Sequence, residues 1–301
     1  MIRPPYLEAG DTVGIVAPAS CMKEEELLQG LEVIRSWGLN IVTGKNLYRK
    51  INSFAGNDLQ RTSDFQEMLD DHGIKAIICA RGGYGTVRII EKLDFKSFLK
   101  SPKWIAGCSD VTVLHSVLQH KVMSESLHSA MPRGMTTSED DAVTFQSLKD
   151  ALFGKLKGYD IETNPLNKVG VAGGTLTGGN LSVLYSLRGT DYDIDTDGKI
   201  LFLEDVGEYL YHIDRMLMNM HLARKFERLN GLIIGGMNKM KVSSSGFRKP
   251  AYRIINEITK DYDYPVIFGM PSGHIQPNKT LIFGRNVEMS VSEKRVKVVF
   301  Q

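Results

Sequence analysis

Four polar residues with complementary chemistry each follow a predicted strand of this 301-residue chain. They are Arg81 after KAIICA, Ser109 after WIAGC, Glu204 after KILFL, and His274 four residues past PVIFGM. Ligands of open α/β sheets bind outside the carboxyl ends of strands, so these residues are candidates for one site. Acyl transfer by a serine needs a base that takes and returns its proton, and an acid that orients the base. A serine, a histidine and a glutamate are all present among these four.

Ser109 lies where the segment WIAGCSDVTVLHSVL (104–118) changes from a strand pattern to a helix pattern. The apolar residues after it recur at a helical spacing. Ser109 is therefore either an ordinary helix N-cap, with Asp110 favoured by the helix dipole, or a nucleophile held at a strand-to-helix turn. This segment alone leaves both interpretations open.

The other two members of the proposed set also have simpler explanations. Glu204 begins Leu-Glu-Asp-Val-Gly-Glu, which is also typical of a polar turn, and Asp205 and Glu208 compete with it for the acid role. The Pro and Gly residues around His274 are typical of a plain turn. His115, six residues after Ser109, is expected to pack in the core or on the surface.

Two glycine-rich segments are candidates for ligand-binding loops. Glycines in Arg81-Gly-Gly-Tyr-Gly85 could bring backbone N–H groups close to an oxyanion, or could simply form a tight turn. The segment 173–179 lacks the lysine of a P-loop, and we predict a turn that enters a helix there. A dinucleotide fingerprint does not follow the first strand, which disfavours a nucleotide-dependent oxidoreductase. Histidines show no metal-ligand spacing with cysteines or acidic residues, so we expect no metal and no cofactor.

Composition excludes several classes of partner. Lysine and arginine exceed aspartate and glutamate by 37 − 35 = +2, without a long basic run, so we expect no nucleic acid partner. No stretch approaches ~20 uninterrupted apolar residues and no signal-peptide core is present, so we expect no membrane association. Three widely spaced cysteines favour a reducing compartment, the cytoplasm.

The pattern of elements predicts an α/β fold. In the first half, strand-like and helix-like segments alternate, which indicates a Rossmann-like parallel sheet covered by helices. The second half is a further α/β domain that ends in a β-hairpin at 287–300. We predict a nucleophile-bearing domain at 1–135, a linker region at 136–168, and a C-terminal domain with the Glu and His at 169–301. Predicted strands lie at 12–17, 40–43, 75–80, 104–108, 199–203, 232–236 and 265–270, and predicted helices at 23–37, 58–71, 86–93, 138–153, 209–226 and 251–262.

Several longer segments carry a family resemblance. They are GDTVGIVAPAS (10–20), ARGGYGTVRIIEKLDF (80–95), GCSDVTVLH (107–115), LTGGNLSVLYSLRGT (176–190), KILFLEDVGEYLYHIDRML (199–217), LIIGG (232–236) and FGMPSGHIQPNKTLIFG (268–284). In this order they resemble the LD-carboxypeptidase family, serine peptidases that include murein tetrapeptide LD-carboxypeptidases and microcin C immunity peptidases. The resemblance covers nearly the whole chain.

The resemblance implies a Ser-Glu-His triad at Ser109, Glu204 and His274. It also implies an oxyanion hole formed by the N–H of Asp110 and that of Gly82 or Gly83. It implies homodimers as well. For the terminal carboxylate of a substrate we add Arg81, or another basic residue, as a hypothetical clamp.

The resemblance further implies hydrolysis of an amide next to a free carboxylate. Members in the cytoplasm release the terminal D-alanine of the murein tetrapeptide L-Ala-D-Glu-meso-diaminopimelate-D-Ala during cell-wall recycling. The chain lacks the longer, aromatic-bearing insertions of the microcin-type members, which favours the recycling enzyme. It departs from the family at 126–132, which has Ser-Ala where His-Gly-Pro-Met is expected. The alternatives are a microcin-type peptidase that cleaves a peptidyl or aminoacyl nucleotide, and a non-catalytic protein that binds muropeptides.

Overall fold

A computed structural model describes residues 1–136, 138–244 and 246–301. The strands in these ranges are β1 (Thr12–Val16), β2 (Asn40–Thr43), β3 (Ile74–Cys79), β4 (Trp104–Gly107), β5 (Ser126–His128), β6 (Gly158–Glu162), β7 (Gly170–Asn180), β8 (Ile200–Val206), β9 (Gly231–Asn238), β10 (Val266–Phe268), β11 (Leu281–Phe283), β12 (Asn286–Val291) and β13 (Arg295–Phe300). The α-helices are α1 (Leu28–Ser36), α2 (Asp58–Asp70), α3 (Lys96–Lys100), α4 (Thr112–Val117), α5 (Glu139–Leu152), α6 (Leu181–Ser186), α7 (Leu210–Leu222) and α8 (Ala251–Thr259).

The chain divides into two compact units. The first contains residues 1–156 and 277–282, and the second contains residues 157–276 and 283–301. The boundaries at 135 and 169 that the sequence suggested stay a prediction.

The first unit is built on a six-stranded sheet in the order β11-β5-β4-β3-β1-β2. The pairs from β5 through β2 are all parallel, as the alternation of strands and helices predicts. The strands β3 and β4 are buried almost throughout, which agrees with their continuous apolar sequences. Helix α2 begins at a capping box in which Asn57 and Gln60 each bond the other's backbone N–H.

The second unit is built on a seven-stranded mixed sheet in the order β10-β9-β8-β7-β12-β13-β6. The β10, β9, β8 and β7 strands pair in parallel, and β7, β12, β13 and β6 pair antiparallel. Apolar residues of α7 and α8, including Ile213, Leu217 and Ile254, share one buried cluster with Leu201 and Leu203 of β8. The C-terminal hairpin is present as β12 and β13, so the α/β fold predicted from the sequence is confirmed.

Two local predictions were wrong. The segment 173–179 is part of the long strand β7 instead of a turn, because its backbone pairs with β8 on one side and β12 on the other. Glycine is required there at Gly178, whose φ is +132° and where a β-carbon would overlap the backbone of Phe202. The predicted helix at 86–93 is two short 3₁₀ turns, Thr86–Arg88 and Ile90–Lys92, in a run rich in β-branched residues that disfavour the α-helix.

No helix in the described parts of the chain is long and apolar enough to span a bilayer.

Candidate active site

Ser109 occupies a strained turn between β4 and α4. It is the first residue of a 3₁₀ turn, Ser109–Val111, and its φ is +63°. Residues other than glycine rarely adopt this left-handed conformation, and where they do they cluster at functional sites. The residue before the turn is Cys108, and no side chain caps the turn. The interpretation of Ser109 as an N-cap is therefore wrong.

Gly82 lies directly beside Ser109. A β-carbon at Gly82 would be 2.8 Å from Ser109 Cβ, 3.1 Å from its Oγ and 3.4 Å from the backbone N of Asp110. Within the described residues, neither the N–H of Gly82 nor that of Asp110 donates a hydrogen bond to another part of the chain. Two backbone donors next to a serine hydroxyl could serve as an oxyanion hole.

Ser20 occupies the space beside Gly83, the other candidate donor. A β-carbon at Gly83 would collide with the Ser20 side chain, and Gly83 has a φ of +111°. Ser20 holds the glycine loop on both sides: its N–H donates to the Gly82 carbonyl (3.4 Å), and its Oγ accepts from the Tyr84 N–H (3.2 Å). Sequence reasoning missed Ser20, although it follows the first strand as the other candidate residues follow theirs.

The Asp110 side chain fixes the far end of the glycine loop. Its buried Oδ2 accepts a 2.7 Å hydrogen bond from the Thr86 N–H. Burial raises the pKa of Asp110, and the hydrogen bonds from Thr86 act against this rise. The buried Arg61 supports the same loop by donating to the Gly85 carbonyl at 2.8 Å. These contacts set the loop's position relative to the turn that contains Ser109.

Arg81 lies at the carboxyl end of β3, half-buried, and its Nη1 donates to the carbonyl of Cys21. Burial lowers the pKa of Arg81, and the charge of nearby Arg133 lowers it further. Arg133 is itself paired with Glu26. The role of Arg81 as a carboxylate clamp stays a prediction.

Glu204 and His274 form a direct pair in the second unit. Glu204 is fully buried, and its Oε2 lies 2.7 Å from His274 Nδ1 and accepts a 3.2 Å bond from the His274 backbone N–H. A carboxylate partner at Nδ1 requires a proton there, which leaves Nε2 as the basic nitrogen of the neutral ring. The pair can therefore hold an imidazole as a general base.

Glycines bring His274 and Glu204 together. Strand β8 extends to Val206, further than predicted, so Glu204 lies inside the strand. Its pairing with β9 changes register after Leu203, and at that point the Gly236 N–H donates to the Ser272 carbonyl at 3.0 Å. At Gly273, with a φ of +99°, a β-carbon would lie 2.7 Å from Glu204 Cβ. Only glycine allows this close approach.

The His274 pKa is raised. Burial acts to lower it, but the hydrogen bond with Glu204 and the charges of Glu204 and Asp205 outweigh burial. A base with a raised pKa accepts a proton more readily.

The geometry also separates Glu204 from its competitors for the acid role. Asp205 is buried and accepts from the Ser182 N–H at 2.9 Å, while Glu208 lies 2.7 Å from Nδ1 of His212. Of the three carboxylates, Glu204 makes the contact with His274. Sequence reasoning missed Asn180, whose side chain lies 3.3 Å from Glu204 Oε1.

His115 packs in the core, as expected. Its Nδ1 lies 2.9 Å from Ser126 Oγ and its Nε2 lies 2.9 Å from the Gly107 carbonyl. Because a carbonyl only accepts, Nε2 carries the proton and Nδ1 accepts from the hydroxyl. Burial lowers the pKa of His115 to about 4, so the ring is neutral at pH 7.

Comparison with known proteins decides the family. Residues 13–129 match the model of the LD-carboxypeptidase N-terminal domain, and residues 173–289 match that of the LD-carboxypeptidase C-terminal domain. The probable murein peptide carboxypeptidase of Bacillus subtilis is 33% identical over 97% of this chain and 92% of that relative. The chain belongs to the LD-carboxypeptidase family.

Other LD-carboxypeptidases and related proteins extend the comparison. The crystal structure of the muramoyltetrapeptide carboxypeptidase from Oxalobacter formigenes has a TM-score of 0.86 and 26% identity, and covers 96% of this chain and 98% of that one. The Microcin C7 self-immunity protein of Escherichia coli is 24% identical over 98% of this chain and 95% of that relative. This chain is thus a full-length match to a family of carboxypeptidases.

Proposed function

We propose that this carboxypeptidase is of the serine type and releases the terminal D-alanine of the murein tetrapeptide. Ser109 is the nucleophile, His274 the general base and Glu204 the acid that orients it. The observation that carries this proposal is the contact between the buried Glu204 carboxylate and His274 Nδ1, because it fixes the tautomer that a serine hydrolase needs. The strained conformation of Ser109 beside Gly82 supports it.

The proposed reaction has two halves. His274 Nε2 takes the Ser109 proton as Oγ attacks the scissile carbonyl, and the N–H groups of Gly82 and Asp110 bind the resulting oxyanion. The carbon–nitrogen bond then breaks, His274 returns the proton to the amine of D-alanine, and an ester on Ser109 remains. Water, deprotonated by His274, hydrolyses this ester to the shortened peptide and free Ser109.

Relatives with murein-related names favour the murein tetrapeptide as substrate. The Bacillus subtilis relative and the Oxalobacter formigenes structure both have such names, at 33% and 26% identity. The self-immunity protein is 24% identical, and its alignment extends over 328 positions, more than the 301 residues of this chain. A peptidase for nucleotide-linked peptides remains the second candidate on the strength of that relative.

The setting of the enzyme is part of the same proposal. We propose a cytoplasmic homodimer with no metal and no cofactor, in which Arg81 binds the substrate's terminal carboxylate. All three cysteines lie among the described residues, and no disulfide joins them, which fits a reducing compartment. Light scattering on the purified chain tests the dimer, and a monomer at micromolar concentration would contradict it.

Mass spectrometry of a murein tetrapeptide incubated with the enzyme tests the proposed function. The wild-type protein should remove one alanine from the D-terminus, and Ser109→Ala should abolish turnover while its melting temperature stays near that of the wild type. A tetrapeptide ending in L-alanine is the matched control and should remain intact. Wild-type turnover by Ser109→Ala, or an unchanged tetrapeptide with the wild type, would contradict the proposal.

A further inference from the structure

We propose that Asp205 is a positioning residue for this hydrolysis: it orients the side-chain amide of Asn180, which in turn fixes Glu204 against His274. The inference rests on the proposed function, because it assigns Asp205 to the same site. It concerns three buried polar side chains of the second unit. Glu204, Asp205 and Asn180 are 0%, 1% and 3% exposed.

The Asn180 amide bridges the two adjacent carboxylates. Its Nδ2 lies 3.3 Å from Glu204 Oε1 and 3.1 Å from Asp205 Oδ1. An amide nitrogen carries two hydrogens, so one is available to each carboxylate. Asn180 therefore links Asp205 to the oxygen of Glu204 that does not contact His274.

The opposite end of the amide fixes its orientation. Asn180 Oδ1 accepts from Ser182 Oγ at 2.9 Å and from the Val183 N–H at 3.2 Å, at the beginning of α6. The Val183 N–H can only donate, so the oxygen of the amide must face it and Nδ2 must face the carboxylates. A rotation of the amide by 180° would break these bonds.

Two backbone N–H groups anchor Asp205. Its Oδ2 accepts from the Ser182 N–H at 2.9 Å, and its Oδ1 accepts from the Val206 N–H at 2.8 Å. Both donors belong to the backbone, so Asp205 holds the amide of Asn180 in a fixed place. Buried polar groups joined in this way constrain one another.

The consequence for Glu204 is a carboxylate held at both oxygens. Oε2 contacts His274 and Oε1 contacts Asn180, so rotation about the last side-chain bond of Glu204 would break a contact at each oxygen.

The negative charges of the adjacent Glu204 and Asp205 carboxylates repel each other. Burial raises the pKa of Asp205 to about 7, the charges of Glu204 and Glu208 add to this rise, and the hydrogen bonds from Val206 and Asn180 act against it. The charge of Asp205 in turn raises the pKa of His274.

Asp205→Asn tests the inference. The variant places a side-chain NH₂ opposite either the Ser182 N–H or the amide of Asn180, so one bond of the network is lost. We expect kcat on the tetrapeptide to fall on the order of 10–100-fold, with KM changed less than about threefold, as for loss of a supporting contact behind a reacting group. The acid limb of the kcat–pH profile should move to lower pH, because a charge that raises the pKa of His274 is removed.

Asn180→Ser tests the same link without altering either carboxylate. Serine keeps an oxygen that can cap α6 but cannot reach Glu204 Oε1, so kcat should fall to a similar extent. This variant decides the matter if Asp205→Asn does not fold. Ser186→Ala on the same helix removes an ordinary bond to the Val183 carbonyl and is the matched control, with unchanged kcat.

A double substitution separates positioning from general damage. In a Glu204→Gln background, adding Asp205→Asn should lower kcat by less than about twofold, because the residue through which Asp205 acts is already impaired. An unchanged kcat in Asn180→Ser, or a full additional loss in the double variant, would overturn the inference. If Glu204→Gln alone keeps wild-type kcat, the proposed triad fails instead, so the two failures are distinguishable.

Discussion

The conformation of Ser109 and the absence of a side chain at Gly82 together leave an open space beside the serine hydroxyl. Ser109 has a φ of +63°, and a β-carbon at Gly82 would lie 3.1 Å from its Oγ. Glycine at position 82 therefore leaves room beside the hydroxyl where a substrate carbonyl oxygen could lie. The resemblance implied either Gly82 or Gly83 as the oxyanion donor, and we propose Gly82, because Ser20 occupies the space beside Gly83.

Gly82→Ala should reduce activity without unfolding the protein. The added methyl group would lie 2.8 Å from Ser109 Cβ and 3.4 Å from the Asp110 nitrogen, so it would displace the serine and crowd the space proposed for the oxyanion. We expect kcat to fall on the order of 10²–10³-fold, as for loss of one oxyanion donor in a studied serine protease. Gly173→Ala is the control, since its nearest neighbour would be 3.7 Å away. Steady-state kinetics with thermal melting would measure both, and equal activity in the two variants would contradict this role.

Among the elements, β4, β5 and α4 meet at His115. The ring joins Ser126 of β5 to the Gly107 carbonyl at the end of β4, two residues before Ser109. In the folded protein burial lowers the pKa of His115 to about 4, compared with 6.5 for the ordinary group. Between these values the unfolded chain binds a proton that the folded protein does not, so this residue's contribution to stability is lost as pH falls from 6.5 towards 4.

His115→Gln should remove this pH dependence. The free energy of unfolding of the wild type minus that of the variant should be about 2 kcal/mol smaller at pH 5 than at pH 7. The wild type and the variant must be compared at each pH, because Asp205, with a pKa raised to about 7, gives both proteins a dependence of stability on pH of the opposite sign. Subtraction removes this shared contribution. Urea titrations at the two pH values measure it, with the exposed His72→Gln as control. A difference independent of pH would contradict the account.

Element patterns in the sequence were informative where apolar residues recur regularly. Strands such as β3 and helices such as α2 lie within a residue of their predicted ends, because their buried faces impose the period. Strand β7 was missed because its glycines are typical of turns when taken locally. Its two partners, β8 and β12, lie far along the chain, and pairing across such distances is invisible to local patterns.

Across the whole molecule, the proposed triad draws on both units. Ser109 belongs to the first unit, and Glu204 and His274 belong to the second. Strand-end positions were enough to select these three residues as candidates, since each carries distinctive chemistry. The supporting residues Ser20, Asn180 and Asp205 could not be assigned in this way, because a buried serine, asparagine or aspartate has many ordinary structural uses. Their roles depend on hydrogen bonds that only the folded chain defines.

Labelling with a fluorophosphonate tests the central claim most directly, because the probe reacts with a serine activated by a base. The claim is that His274, oriented by Glu204, activates the hydroxyl of Ser109. Peptide mapping of the wild-type protein should find a single adduct on Ser109, and labelling should slow by several orders of magnitude in His274→Ala. An adduct on a different residue, or undiminished labelling of Ser109 in His274→Ala, would contradict the account.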